Sequence, residues 1–308
     1  MDKLTIGTRG SKLALWQANY IKSEIERKHK TVKVELKIIK TKGDKILDVP
    51  LAQVGGKGLF VKEIEDELLK GNIDLAVHSM KDVPTFFPEG LYLPVITERE
   101  DYRDALLARE GVTFETIKDK AVIGTSSLRR KSQIMNIKRN VIIKDLRGNV
   151  DTRLKKLKNG EYDAIILAAA GLKRLGLDHE ITEYIDPHVM VPAIGQGALG
   201  IELRENDEKT FEILSFLKHN NSYIAVKGER AFLRKLEGGC QVPIACLGEV
   251  NGEMLTLTGV VASVDGKTVI KKKLEGKKND FDRIGTELGE TILTCGADKI
   301  LSEFYSDK

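Results

Sequence analysis

The sequence predicts an α/β protein made of two successive lobes with mostly parallel sheets, followed by a smaller α/β domain with an antiparallel sheet. Three observations carry this. Short apolar runs alternate with stretches of helical periodicity from the N-terminus onward. The alternation restarts near Asp104. Beyond Tyr223 the pattern changes to long β runs separated by Asn251-Gly252 and Asp265-Gly266, which are strong hairpin signals. At 308 residues the chain is long enough for several domains and a large core without disulfide support.

In order, Leu4 to Thr8 reads as a strand, Ser11 to Arg27 as a helix opened by a serine cap, and Val32 to Lys40 as a second strand. A Gly-rich loop at Gly55 to Gly58 leads into an amphipathic helix from Leu59 to Leu69, with Ile64 and Leu68 on one stripe and Gly71 as its stop. Ile73 to His78 reads as a buried strand. Ser79 to Pro94, which holds three prolines, reads as a loop closing the first lobe. In the second lobe, strands at Ala121 to Gly124, Val141 to Lys144 and Ala164 to Leu167 alternate with helices starting near Ser127, Asn149 and Ala169. Pro187 to Gly200 reads as a crossing segment. A helix then runs to about Leu236, followed by the loop Glu237 to Pro243, β runs at Ala245 to Val250, Met254 to Ser263 and Thr268 to Leu274, and helices near Asp282 and Asp298.

Composition excludes several classes. With 41% hydrophobic and 31% charged residues spread along the chain, disorder, collagen and membrane-spanning architectures are ruled out. The N-terminal residues lack an apolar signal core, so a cytoplasmic location is expected. The three cysteines, Cys240, Cys246 and Cys295, form no C-x-x-C pair or Cys/His cluster, so neither a disulfide framework nor a metal site is expected. The net charge of +4 conceals an uneven distribution: Lys118 to Lys158 holds 13 basic residues against 3 acids, leaving a net −6 on the remainder. Such a stretch is either a solvated basic face or a site for an anionic partner.

The strand-to-helix turns carry the candidate chemistry. In Gly124-Thr-Ser-Ser-Leu-Arg-Arg130, a strand ends in Gly, hydroxyls stand at a helix start and two arginines fall in its first turn, so N–H groups and guanidinium forks converge on one anion. Arginines there oppose the helix dipole, which argues for a ligand rather than for helix stability. Arg147 and Arg153 repeat the arrangement after the next strand, and Arg9 with Ser11 occupies the first such turn. Two lobes of this kind place ligands at the carboxyl ends of their strands, in the cleft between them. The preference for Arg over Lys suits bidentate carboxylate or phosphate recognition. After the strand ending at His78, Asp82 beside Lys81 either stabilises a cation or moves protons, or else merely caps the loop. Gly195-Gln196-Gly197-Ala-Leu-Gly200 matches a dinucleotide fingerprint without its preceding strand and reads instead as a hinge or close-packing segment. Cys240 lies in a Gly-rich loop, where a thiol is accessible and nearby cations activate it; Cys246 in a strand and Cys295 at a helix end read as structural.

Eight motifs occur in one order: Arg9-Gly-Ser11 with Leu13-Ala-Leu-Trp16, Val54-Gly-Gly-Lys57-Gly-Leu-Phe60, His78-Ser-Met-Lys81-Asp82-Val-Pro84, Gly124 to Arg130, Leu146-Arg147-Gly-Asn-Val150, Leu167 to Leu172, Pro192-Ala-Ile-Gly-Gln196-Gly197, and Leu236-Glu-Gly-Gly-Cys240-Gln-Val-Pro243. Together they resemble the hydroxymethylbilane synthase family, also called porphobilinogen deaminases, from about residue 4 into the C-terminal region.

The resemblance implies two lobes like those of periplasmic binding proteins and a third domain. The expected domains are residues 1–97 with 198–216 for the lobe with the catalytic aspartate, 102–192 for the arginine-rich lobe, and 220–308 for the domain with the attachment cysteine. It implies a transferase of tetrapyrrole biosynthesis that deaminates four porphobilinogen units and joins them head to tail on a dipyrromethane cofactor held by a thioether to Cys240, then hydrolytically releases hydroxymethylbilane. On this resemblance Asp82 is catalytic. Lys81, Ser127, Arg129, Arg130 and Arg147 hold the cofactor, and Arg9, Ser11, Lys57, Arg153, Arg174 and Gln196 bind substrate. Gln53 departs from the pattern, standing where several members carry a second lysine. A cytoplasmic monomer passing product to a uroporphyrinogen-III-forming enzyme is the corresponding expectation, with no nucleic acid or membrane partner. A bilobal anion receptor would leave Cys240 and the third domain idle, and nucleic-acid binding would need the basic residues on one exposed face.

Overall fold

Most of the elements follow from the periodicities above. A computed structural model describes residues 2–45, 58, 60–236 and 242–306. In chain order these form β1 (Lys3–Thr8), α1 (Lys12–Lys28), β2 (Lys33–Ile38), α2 (Lys42–Lys45), α3 (Lys62–Leu69), β3 (Leu75–Ser79), β4 (Leu91–Ile96), β5 (Asp104–Ala108), β6 (Val122–Gly124), α4 (Leu128–Ile137), β7 (Ile142–Lys144) and α5 (Val150–Lys158). The chain continues with β8 (Ala164–Ala168), α6 (Ala169–Arg174), β9 (Glu183–Tyr184), β10 (Leu199–Arg204), α7 (Glu208–Leu214), α8 (Asn220–Lys235), β11 (Ile244–Asn251), β12 (Met254–Ala262), β13 (Val269–Lys277), α9 (Phe281–Ile292) and α10 (Asp298–Ser306). They divide into two compact units, Met1–Glu100 with Ala198–Tyr223, and Asp101–Gly197 with Ile224–Lys308.

In the first unit the sheet order is β2-β1-β3-β10-β4. β1 runs parallel to β2 and β3, and β10 inserts antiparallel between β3 and β4. Ser11 caps α1 by accepting the Ala14 N–H at 3.3 Å, and Arg27 and Lys28 in the last turn suit the dipole. Ala18, Ile21 and Ile25 of α1 pack on Leu4, Ile6, Val77 and Ile201, each fully buried large apolar side chain contributing about 1.5–3 kcal/mol. On the other face Ile64 and Leu68 of α3 meet Ile39, Ile73 and Leu91.

The expected loop Ser79 to Pro94 is corrected by the presence of β4 at its end. Proline in a strand normally signals otherwise, but β4 is an edge strand, and Pro94 faces the irregular step between Ile201 and Leu203 where the ladder is broken.

The second unit contains two sheets. One has the order β7-β6-β8-β5-β9, with β6 parallel to β7 and β8, and β5 antiparallel to β8 and β9. The other is the meander β11-β12-β13, whose turns use Gly252 and Gly266 at φ of 57° and 70°. Phe232 of α8 is fully buried on the meander, close enough to Gly259 that an added Cβ would lie 2.8 Å from its ring. Two α/β lobes with mostly parallel strands and a C-terminal antiparallel sheet are as the sequence predicts. Cys246 is buried in β11, whereas Cys295, read as structural, is exposed. The segment after Gly195 enters β10, a strand and not a helix, so it lacks the helix N-terminus that a dinucleotide would need. An added Cβ on Gly200 would come 2.3 Å from the Met80 Sδ, so this glycine serves close packing.

Candidate functional site

In the first unit the candidate residues sit at the carboxyl ends of β1 and β3. Arg9 donates through Nε to Asp44 Oδ1 at 3.0 Å and lies 4.1 Å over the Phe60 ring, while the Thr41 hydroxyl donates to Asp44 Oδ2 at 2.8 Å. Burial opposes ionisation of Asp44, but these hydrogen bonds and the Arg9 charge outweigh it and hold its carboxyl below the usual range. Lys81 and Asp82 lie on a single 3₁₀ turn, Met80–Asp82, directly after β3. That turn is tied down by the Met80 N–H to the Ala198 carbonyl at 3.0 Å and by Met80 packed against Gly200. Asp82 is exposed and Lys81 half-buried. Behind the turn, His78 Nε2 meets Glu202 Oε2 at 2.7 Å in full burial. Glu65 is buried on α3, and burial, reinforced by the Glu202 charge and partly offset by His78, pushes its carboxyl up to about 7. Lys57 and Gln53 lie outside the described residues.

In the second unit Ser127 caps α4, its hydroxyl facing the Arg130 N–H at 3.4 Å. The two following arginines are almost fully buried, and both are held by Asp104, the first residue of β5. Arg129 donates to Asp104 at 2.6 and 3.2 Å and to the Val191 carbonyl at 2.9 Å. Arg130 donates to Asp104 at 3.0 and 2.8 Å and to the Ile166 carbonyl at 2.9 Å. Gln196 Nε2 adds a bond to the same carboxylate at 3.0 Å and one to the Tyr102 carbonyl at 2.8 Å. Full burial would raise the Asp104 carboxyl, but the two guanidiniums overwhelm it and hold the group far below the usual range.

Sequence reasoning places Arg129, Arg130 and Gln196 in the site; Asp104, which it missed, gathers them. The available signal is an acid heading the apolar run Ala105-Leu-Leu-Ala108. It also bears on the arginines in a first helical turn, since one of their two charges is offset by a buried carboxylate. Arg174 donates to the Gly197 carbonyl at 2.6 Å. Arg147 follows Leu146, whose backbone N–H and carbonyl both bond the Ser126 hydroxyl at 3.0 Å; Arg153 is half-buried and donates to the Gly148 carbonyl at 2.8 Å. On α5 Lys155 and Lys158 are exposed and Lys156 is half-buried. Cys240 lies outside the described residues. A donor set of guanidiniums, a hydroxyl and amide N–H groups fits a polycarboxylate such as a dipyrromethane. Among the described residues no cluster of His, Cys, Asp or Glu is arranged to hold a metal, and no helix is long and apolar enough to cross a membrane.

The lobes resemble, at the level of fold, the BenM effector-binding domain with benzoate (TM-score 0.42, 16% identity, 70% of this chain and 90% of that one) and a Salmonella typhimurium periplasmic binding protein with high arginine specificity (TM-score 0.39, 14% identity, 70% and 92%). The family model described as "Porphobilinogen deaminase, dipyromethane cofactor binding domain" matches residues 4–212, and that of the porphobilinogen deaminase C-terminal domain matches residues 223–294. Porphobilinogen deaminases of Geobacter sulfurreducens and Trichlorobacter lovleyi are each 55% identical, over 99% and 98% of this chain and 96% and 97% of their own lengths. With both models matched in order and more than half the residues shared along nearly the whole length, the chain belongs to the porphobilinogen deaminase family and carries its dipyrromethane cofactor-binding domain.

Proposed function

We propose that this chain deaminates four porphobilinogen units, joins them head to tail on a dipyrromethane held by a thioether to Cys240, and hydrolytically releases hydroxymethylbilane. The observation that carries the reading is the arginine pair on Asp104, a buried donor site for carboxylates inside a chain of this family. Bound dipyrromethane supplies the free pyrrole carbon from which a chain can grow. Arg129, Arg130 and Arg147, with Ser127 and Lys81, hold cofactor carboxylates. Arg9, Ser11, Lys57, Arg153, Arg174 and Gln196 hold the acetate and propionate of the incoming substrate. Asp82 balances the cation left when ammonia departs from porphobilinogen, a role that an exposed carboxylate on a firmly anchored turn supports.

Three domains, at residues 1–97 with 198–216, 102–192 and 220–308, are part of the same reading. The separate apolar cores of the second lobe and of the meander support that division. So is a cytoplasmic monomer that hands product to an enzyme forming uroporphyrinogen III.

Intact-mass measurement tests the proposal. The purified protein is expected to exceed its sequence mass by a dipyrrole and to gain further units when given porphobilinogen. Cys240→Ala is expected to carry no adduct, while Cys246→Ala and Cys295→Ala keep it. A bare mass unchanged by porphobilinogen would overturn the reading, and an adduct retained on Cys240→Ala would overturn the thioether.

A further inference from the structure

The geometry points to Asp104 as the positioning residue and internal counter-ion of the anion site, fixing the Arg129 and Arg130 guanidiniums and limiting their combined charge to one net positive unit. The inference rests on the reading that these arginines bind carboxylates. Asp104 is 0% exposed, and both its oxygens are occupied: Oδ2 by Arg129, and Oδ1 by Arg129, Arg130 and Gln196. Each guanidinium spends three N–H groups on Asp104 and a backbone carbonyl, which leaves two of its five for a ligand.

Two adjacent guanidiniums in low dielectric repel one another and resist burial; a shared carboxylate offsets both costs. The carbonyls of Val191 and Ile166 fix the outer edges of the two forks, so the carboxylate sets which N–H groups remain. Asp104 also sits opposite Ala168, the last residue of β8, at the strand end where the helix turns gather. It is thus placed at the level of the ligand and not deep in the sheet. The arrangement trades affinity for orientation: without Asp104 the site would hold an anion more tightly but would no longer dictate its geometry.

That opposition gives a test that simple loss of structure cannot mimic. Sulfate is titrated against the unfolding temperature of the full chain carrying Cys240→Ala, which is expected to hold no dipyrrole in the site, with and without Asp104→Asn and with chloride matching the ionic strength. The expected result is a lower unfolding temperature with Asp104→Asn in the absence of sulfate, and a sulfate half-saturation about 10-fold lower than in the Cys240→Ala parent, because removing the carboxylate raises the net charge of a buried site by one unit. Porphobilinogen turnover of Asp104→Asn with Cys240 intact is expected to fall. If Asp104→Asn does not fold, the comparison moves to Arg130→Met, in which one guanidinium faces one carboxylate: Arg130→Met is expected to lose the sulfate shift and Arg130→Met/Asp104→Asn to regain it. Equal sulfate half-saturation with and without the Asp104 charge, in whichever background folds, would overturn the proposal. Sulfate binding does not depend on pyrrole chemistry, so the expected sulfate response together with a bare mass of the Cys240-intact protein would refute the proposed function while leaving the counter-ion role standing.

Discussion

Both α/β lobes insert a strand antiparallel beside their third parallel strand, β10 beside β3 and β5 beside β8, and in both that strand carries a buried acid. The two acids are used differently. In the second lobe Asp104 stands at the strand end and meets two permanent cations. In the first, Glu202 lies opposite Ala76, deeper in the sheet, and meets His78, with Glu65 close by. The charge at the strand ends is inverted accordingly: an exposed carboxylate, Asp82, on the first lobe's, and buried or half-buried arginines on the second's. One strand order therefore supports a buried arginine–carboxylate cluster in one lobe and, in the other, an exposed carboxylate above a buried acid that burial pushes up to about 7.

The strongest break in this contrast is Asp82→Asn. The exposed side chain bears little packing, so the unfolding temperature is expected to stay at the wild-type value while turnover falls about 10²–10³-fold; near-normal turnover would remove Asp82 from the chemistry. Next in size is Glu65→Gln. With a folded carboxyl at about 7 against an ordinary 4.5, the folded state holds the proton more firmly than the unfolded chain. The associated stability is present below about pH 4.5 and lost as pH rises through about 7. Glu65→Gln should match wild type near pH 5 and unfold at a higher temperature near pH 8, a difference that a pH series of thermal melts would reveal or refute. Gly200→Ala is expected to cost about 1–3 kcal/mol, since its Cβ has no room beside Met80 and Leu93, and shortening Met80 to Ala in the same chain should recover part of the loss in a denaturant titration. The smallest effect compares the two serine caps: Ser11→Ala and Ser127→Ala should each lower stability by about 1 kcal/mol, measured by the same titration.

Most of the fold was legible because its signals are local. The cap and stripe of α1, the Gly turns of the meander and the strand-to-helix turns holding Arg9, Ser127 and Arg147 are all written within a few residues. What escaped depends on distant partners. β4 contains Pro94, tolerated only because the strand lies at an edge. β10 follows a Gly-rich stretch that imitates a nucleotide motif, and its strand character comes from β3 and β4 on either side. Asp104 gains its meaning only when Arg129 and Arg130, some 25 residues later, fold back onto it. The sequence identified the cations and missed the anion that arranges them.

The insertion of β10 between β3 and β4 also sets a timetable. Ile201 pairs with Val77 and Val95, so the first lobe cannot complete its sheet until more than 200 residues have been made, although its first 96 residues supply the other four strands. At about 5–20 residues per second, this leaves the facing edges of β3 and β4 without their shared neighbour for several seconds or longer on the ribosome. Two unpaired apolar strand edges are a template for wrong pairing. A slow stretch of translation before Leu199 would prolong the exposure of this seam.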